Sequence, residues 1–501
     1  MKAGDHHIVV IGGGISGATA ALLLAKHGRR VTLVEKAGHL CPTLRGFTRK
    51  GVFFDTGLHY SGELGANEIL DTYLGYLGMG SLPKVALNPA GFDVIRFSDG
   101  RCIALPAGLD ALSAALHAAF PKDSHVIKKY LDTVCQIFAS SSFLNFSVAG
   151  AQEKALDPLW MQTLEAFLSC QTSDEDLKTV LSIHCLLHGV SPQEVSLLHH
   201  ARVSASYYRS AHTFAGGGKT LADAFATRLE EEGVSLKLGH AVDRILFTPA
   251  KTIAGVMLKN GERVDADSVV YTAHPYYLPD MVPEDALRAV FKKRLKQLRE
   301  TISAYILFGA TNHLPEHLHR RNLFLCQAKT PLGQAFARNK PPDHGPFYVT
   351  SSHFVPDHSP SNVGVEVFVP GWLGDMGALA TEGHKRTEGY RTFKRQTLIK
   401  VRESLLKTCP ELECVAFFDG ATPLTLRDYL STPYGGLYGV AHTADQFNPL
   451  PVTRIPELFL AGQAVVAPGL LGAVVSAFLA CSFILGLEKL KDEVAAWHPE
   501  K

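Results

Sequence analysis

The sequence lacks net charge, paired cysteines and repeats, and each lack excludes a class of protein. Lys and Arg number 49 against 48 Asp and Glu, a formal charge of +1 over 501 residues. Nucleic-acid binding wants a basic face, so no nucleic-acid partner is expected. Nine cysteines are scattered from Cys41 to Cys481 with no CxxC pair, which reads as reduced, mostly buried thiols in a cytosolic or cytosol-facing protein. The 23 histidines carry no accompanying acid or cysteine spacing, so no metal is expected. No internal repeat or low-complexity tract stands out. No secretory leader is expected either, because Asp5, His6 and His7 interrupt the start and a fold element begins at Ile8.

What is present is apolar bulk. The chain is 46% hydrophobic and 19% charged, a soluble globular composition, and its length favours two joined domains over one core. One run is long enough to cross a membrane: Leu458 to Leu487 holds no charged residue. Gly462, Gln463, Pro468, Gly469 and Gly472 at its front predict instead a strand, a turn and a buried helix.

The opening residues form a compact β–α–β pattern. An apolar strand at Ile8–Ile11 leads into Gly12-Gly13-Gly14-Ile15-Ser16-Gly17. An Ala/Leu-rich helix to His27 follows, then a second strand, Val31–Glu35. Gly12 permits the tight turn, Gly14 lets backbone N–H groups approach a pyrophosphate, and Gly17 lets helix and strand pack closely. Glu35 comes 18 positions after Gly17, near the spacing of about 20 for an acid on a ribose hydroxyl. The motif alone does not separate FAD from NAD. Asp99–Gly100 and Asn260–Gly261 predict hairpins, roughly 110–212 reads as helical, and 301–371 alternates strand-like runs such as Val363–Val369, an antiparallel sheet of a different domain.

Later segments narrow the choice. Gly216-Gly217-Gly218 precedes an amphipathic helix, and Leu458–Ala461 leads through Gly462-Gln463 to Pro468-Gly469-Leu470-Leu471-Gly472-Ala473, a second helix start. The positive end of such a helix favours negative charge developing on a reduced flavin. With Phe54-Asp55-Thr56-Gly57-Leu58-His59-Tyr60 and Pro433-x-Gly435-Gly436-x-Tyr438-Gly439-x-x-His442, these motifs are spread over nearly the whole chain. On them the sequence resembles the phytoene desaturase-related flavoproteins, and among these the retinol saturase and carotenoid isomerase branch.

The resemblance implies extended FAD: Glu35, with Lys36 beside it, on the adenosine ribose; Gly12, Gly14, Ile15, Ser16 and Gly17 on the pyrophosphate; Val242 beside the adenine. Gly462 and Gln463 would meet the ribityl chain, and Gly469, Leu471, Gly472 and Ala473 the isoalloxazine. The family's Gly-Gly pair after the ribose acid is replaced here by Cys41-Pro42. The implied fold is α/β, a Rossmann-type FAD domain assembled from 1–110, 213–280 and 421–501, with an inserted α+β substrate domain from 111–212 and 281–420. His59, His442 and Tyr438 are the catalytic candidates, weighed against plain packing beside the flavin, and Asp55 against a role in satisfying backbone N–H groups. His199–His200 and Tyr207–Tyr208 read as packing.

The expected chemistry is saturation or desaturation of a carbon–carbon bond in a small apolar, polyene- or isoprenoid-like molecule. Its rivals are cis–trans isomerisation, oxidation of an amine or carrier-tethered acyl group, and a flavin-free escort of prenylated partners. The electron donor or acceptor stays open. A basic helix with Leu287, Val290, Phe291, Leu295 and Leu298 among Lys292, Lys293, Arg294 and Lys296 could touch an anionic membrane, or be an ordinary surface helix, in a cytoplasmic protein.

Overall fold

The computed structural model describes residues 6–141, 143–145, 157–352, 362–380 and 386–497; Asp5 and parts of the two substrate segments lie outside them. The apolar run at the start becomes the strand His7–Ile11, buried along its whole length. It is the middle of a five-stranded sheet ordered Leu458–Leu460, Ser268–Tyr271, His7–Ile11, Arg30–Glu35, Ser235–Leu238, with every pairing parallel. Burial on both faces explains the unbroken hydrophobic strands. The helix Ile15–Lys26 leaves the central strand and packs against the helix Gly469–Leu485. That helix is the later part of the apolar run: most of its residues are buried in the core, and among the described residues no helix is long and apolar enough to cross a membrane.

A second sheet has seven strands, ordered Ala416–Ala421, Ser303–Thr311, Val363–Gly371, Phe347–Ser351, Asn322–Cys326, Asp93–Phe97, Cys102–Leu105. All pairings are antiparallel except Asn322–Cys326 with Asp93–Phe97. The strands Asp93–Phe97 and Cys102–Leu105, which the sequence reading places with the dinucleotide part, thus pair into the other sheet. The reason is local: their alternating pattern buries Asp93, Ile95 and Phe97 on one side, and a two-strand hairpin needs a sheet to complete it. Gly100 and Gly261 occupy the two hairpin turns with positive φ. Between Leu105 and His212 the chain runs through the helices Leu109–Ala119, Ser124–Ala139, Leu164–Ser169, Glu175–Ser182, Cys185–His188 and Leu197–Arg209.

The basic helix forms at Ala289–Lys296. Leu287, Leu295 and Leu298 of its apolar stripe are buried in a core cluster, leaving Val290 as the exposed member. Most of the stripe is therefore spent on the core.

Candidate cofactor and active site

The Gly-rich turn joins strand to helix with its backbone laid open. Gly12 sits at φ +105°, and a Cβ added at Gly17 would stand 1.8 Å from the Gly12 carbonyl oxygen, so close packing of turn and helix admits glycine alone there. Gly14 differs: a Cβ there meets nothing within 4 Å, so what the glycine preserves is free space before the helix. That helix has no side-chain cap and no acidic residue in its first turn, leaving first-turn N–H groups for an outside acceptor. Glu35 ends its strand buried, its Oε2 accepting from Gly13 N at 2.6 Å and its Oε1 from Ala37 N at 2.7 Å. Each oxygen retains a lone pair for a hydroxyl.

The helix Gly469–Leu485 repeats the arrangement: Pro468 precedes it, no side chain caps it, no acid lies in its first turn, and a Cβ at Gly469 would meet nothing. Ser16 Oγ donates to Ala473 O at 2.9 Å, binding the two helix starts together. Gly472 packs against Ala467, where a Cβ would stand 2.3 Å from its carbonyl oxygen, and Leu471 is buried. Gly462, at φ +117°, donates its N–H to Ser476 Oγ. Two adjoining, uncapped helix N-termini with open space before them suit one elongated anion with a ring at its far end, which is the form of FAD.

Val242 opens the strand Val242–Phe247, two residues after His240, whose N–H donates to Glu35 O at 3.0 Å. Lys36 is exposed and its ammonium donates to Ser431 Oγ, away from the glycine turn. Cys41, standing where the resembled family has glycine, takes φ +48°, the left-handed region glycine favours. Its N–H donates to Gly13 O at 2.7 Å, so the glycine-like path of this loop survives the replacement.

Beyond the cradle, side chains take over. Asp55 Oδ2 accepts from Gly218 N at 2.9 Å, tying its loop to the start of the helix Gly218–Glu231; burial pushes its carboxyl up to about 7. His59 lies edge-on to Phe368, ring centroids 5.3 Å apart, with Nδ1 3.9 Å from Glu366 Oε1. Burial holds its imidazole down at about 4 and raises the Glu366 carboxyl well above its ordinary value, so burial disfavours charge on both. His442 Nε2 donates to Gln463 O at 2.7 Å and its ring stacks on His199, centroids 4.1 Å apart; burial brings it to about 4 as well. Tyr438, buried and raised by burial, keeps its phenol proton, and its backbone N–H donates to Thr301 Oγ1.

Sequence reasoning did not single out Glu300, Glu366 or Asp93. Glu300 Oε2 accepts from Gly436 N at 2.8 Å and Tyr434 N at 3.1 Å, and burial lifts its carboxyl to about 7; it anchors the Pro433–His442 motif. Glu366 carried a readable signal, the one charge inside the apolar run Val363–Val369. A cavity of about 860 Å³ lies beside Glu300, lined in part by Val190, Leu298, Thr301, Phe336 and Trp372.

Comparison with known proteins agrees with this geometry. Residues 15–382 match the family model described as flavin containing amine oxidoreductase. The human all-trans-retinol 13,14-reductase is 27% identical over 95% of this chain and 85% of its own. The 4,4'-diaponeurosporene oxygenase of Staphylococcus aureus is 24% identical over 87% of this chain and 88% of its own. Among solved structures, an oxidoreductase from Methanosarcina mazei superposes with a TM-score of 0.64 at 15% identity, over 94% of this chain and 98% of its own. The chain therefore belongs to the flavin-containing amine oxidoreductase family, in its phytoene desaturase-related group, and is an FAD-dependent oxidoreductase.

Proposed function

We propose that the protein reduces or oxidises a carbon–carbon bond of an apolar, conjugated polyene, with saturation the favoured direction. The observation that carries the reading is the likeness, along almost the whole chain, to a protein named for reducing all-trans-retinol. The largely apolar cavity beside Thr301 and Trp372 suits such a substrate. The FAD-binding part is drawn from 1–110, 213–280 and 421–501, less the hairpin Asp93–Leu105, and the substrate part from the rest.

Bound FAD supplies two-electron exchange with a substrate carbon. The chain holds it with the first-turn amides after Gly14, the carboxylate of Glu35, Val242 at the adenine, and the helix beginning at Gly469. Saturation also needs a proton at the neighbouring carbon. Burial shifts the Glu366 carboxyl toward its protonated form and His59 Nδ1 lies 3.9 Å from its Oε1, so we assign His59 to moving the proton and Glu366 to replenishing it. His442, its Nε2–H fixed on Gln463 O, and Tyr438, fixed through Thr301, orient the substrate side. A peripheral membrane contact falls to exposed Val290, Phe447 and Leu450, with Lys292 and Lys293 adding attraction to anionic lipid.

The test is anaerobic photoreduction of the purified protein followed by all-trans-retinol, other polyenes, acyl chains and amines. Flavin reoxidation by a polyene, with product heavier by two hydrogens, is expected. Turnover with amines alone would remove the polyene reading, polyene isomerisation without flavin turnover would make the protein an isomerase, and purified protein without flavin absorbance would be an escort.

A further inference from the structure

Three metal-ligating side chains meet inside the helical region. Cys185 and His188 lie on the helix Cys185–His188 and His200 on the helix Leu197–Arg209, and all three are fully buried. His188 Nε2 stands 3.3 Å from His200 Nδ1, and Cys185 Sγ stands 3.8 Å from the same nitrogen. Two imidazole nitrogens on tetrahedral zinc, each at about 2.0–2.1 Å, lie about 3.3–3.4 Å apart, and a nitrogen and a thiolate sulfur about 3.5–3.6 Å. The separations here match two edges of that tetrahedron to within a few tenths of an ångström.

The hydrogen bonds around the cluster suit the tautomer a metal needs. Tyr130 Oη donates to Leu181 O at 2.9 Å. His200 Nε2 lies 2.9 Å from the same hydroxyl and 3.2 Å from Ser204 Oγ; with its proton on Nε2 the ring donates to these oxygens, and Nδ1 presents its lone pair to Cys185 and His188. A hydrogen-bond partner on the far nitrogen is how metal-binding histidines are oriented. His317, Cys409 and Glu411 also gather, but there the Arg96 guanidinium already contacts both Glu411 and Cys409, so a cation is in place.

We propose that Cys185, His188 and His200 bind a divalent ion of the zinc class. The set of two imidazoles and one thiolate favours Zn(II), and Co(II) as its substitute, over oxygen-seeking ions. Binding forms two metal–nitrogen bonds and one metal–sulfur bond, releases the Cys185 thiol proton, and moves no electrons; His188 binds as its Nδ1–H tautomer. The remaining positive charge is balanced by Asp93, fully buried and hydrogen-bonded to His184, the residue before Cys185. The ion clamps the short helix to the longer one on either side of Gly189–Ser191, which line the large cavity. His188 also lies edge-on to His199, centroids 6.0 Å apart, and so the clamp supports the ring stacked on His442.

The full-length protein is produced in medium supplemented with ZnCl2 or CoCl2, dialysed against metal-free buffer and assayed for metal by mass spectrometry, with thermal unfolding as the readout of folding. Near-stoichiometric zinc and a cobalt–thiolate charge-transfer band are expected, both lost in Cys185→Ser. If Cys185→Ser does not fold, zinc-edge X-ray absorption of the unmodified protein decides. Sulfur at about 2.3 Å with nitrogen at about 2.0–2.1 Å supports the site, and an oxygen-only shell overturns it. Folded protein that retains no metal, or Cys185→Ser that retains all of it, also overturns the site. Because flavin absorbance is read on the same sample, failure of the metal site stays separate from failure of the proposed reaction.

Discussion

The two halves of the proposed site are built by different means. On the proposed cofactor side the backbone forms the cradle: a glycine turn, two uncapped helix starts and one carboxylate whose oxygens accept from amides. On the substrate side buried ionisable side chains do it, namely His59 with Glu366, His442 with His199, Glu300 under its loop, and Asp93 among Tyr60, His184 and Asn322. A backbone cradle is insensitive to pH but intolerant of an added methyl group. A side-chain network tolerates small changes of shape but depends on proton balance and on every partner being present.

The sharpest break of the first half is Gly17→Ala, whose methyl group would overlap the Gly12 carbonyl oxygen. It should destabilise by more than about 3 kcal/mol and yield little folded protein. Gly14→Ala is its counterpart: with nothing near the new methyl, the melting temperature of the flavin-free protein should stay unchanged while flavin occupancy falls. A matched loss of stability in both variants would show that the turn is structural and not a phosphate cradle.

In the second half the largest effect belongs to Asp93→Ala. Asp93 is fully buried and accepts from Tyr60 Oη at 2.8 Å and Asn322 Nδ2 at 2.8 Å, with His184 Nε2 at 3.3 Å. Removing it takes this acceptor from all three, at a cost of about 3 kcal/mol, read as a lower denaturant midpoint with unchanged slope.

These two regions also separate what the sequence makes legible. The glycine turn and Glu35 lie within 24 residues of one another, and their order along the chain matches their order in space. The apolar run at 458–487 was readable for the same reason, since its glycines and proline punctuate it before the helix. Asp93 and Asn322 are 229 residues apart in sequence yet adjacent across a parallel strand pair. No spacing announces that, which is why the sequence alone does not say which sheet the hairpin at 93–105 joins. His199–His200 read as packing residues; they are buried as packing residues are, but the stack on His442 comes from a fold contact 243 residues long.

The pH response sharpens the comparison further. Burial holds His59 and His442 at about 4 in the folded chain, against about 6.5 unfolded. Below pH 6.5 the unfolded chain takes up protons that the folded chain refuses, so these histidines lower stability as pH falls from about 6.5 to 4. Asp55 and Glu300 have the opposite sign: raised to about 7, they favour the folded state when protonated, and that contribution is lost as pH rises from about 4 to 7. His442→Gln should therefore flatten the acid side of the stability profile by about 1–2 kcal/mol. An unchanged profile would mean that the imidazole is charged in the folded protein.

The smallest effect tests the cofactor side again. Lys36 follows the ribose acid directly and carries a charge that an adenine dinucleotide would attract, which made it a reasonable contact in sequence. In the fold its ammonium is exposed and donates to Ser431 Oγ, whereas the space before Gly14 is bounded by amides. An exposed charge in water contributes little, typically under about 1 kcal/mol. Lys36→Met should shift the flavin dissociation constant by no more than about threefold, measured by fluorescence titration of the flavin-free protein. A larger loss would place the lysine on the phosphates and mean that the cradle relies on a side chain after all.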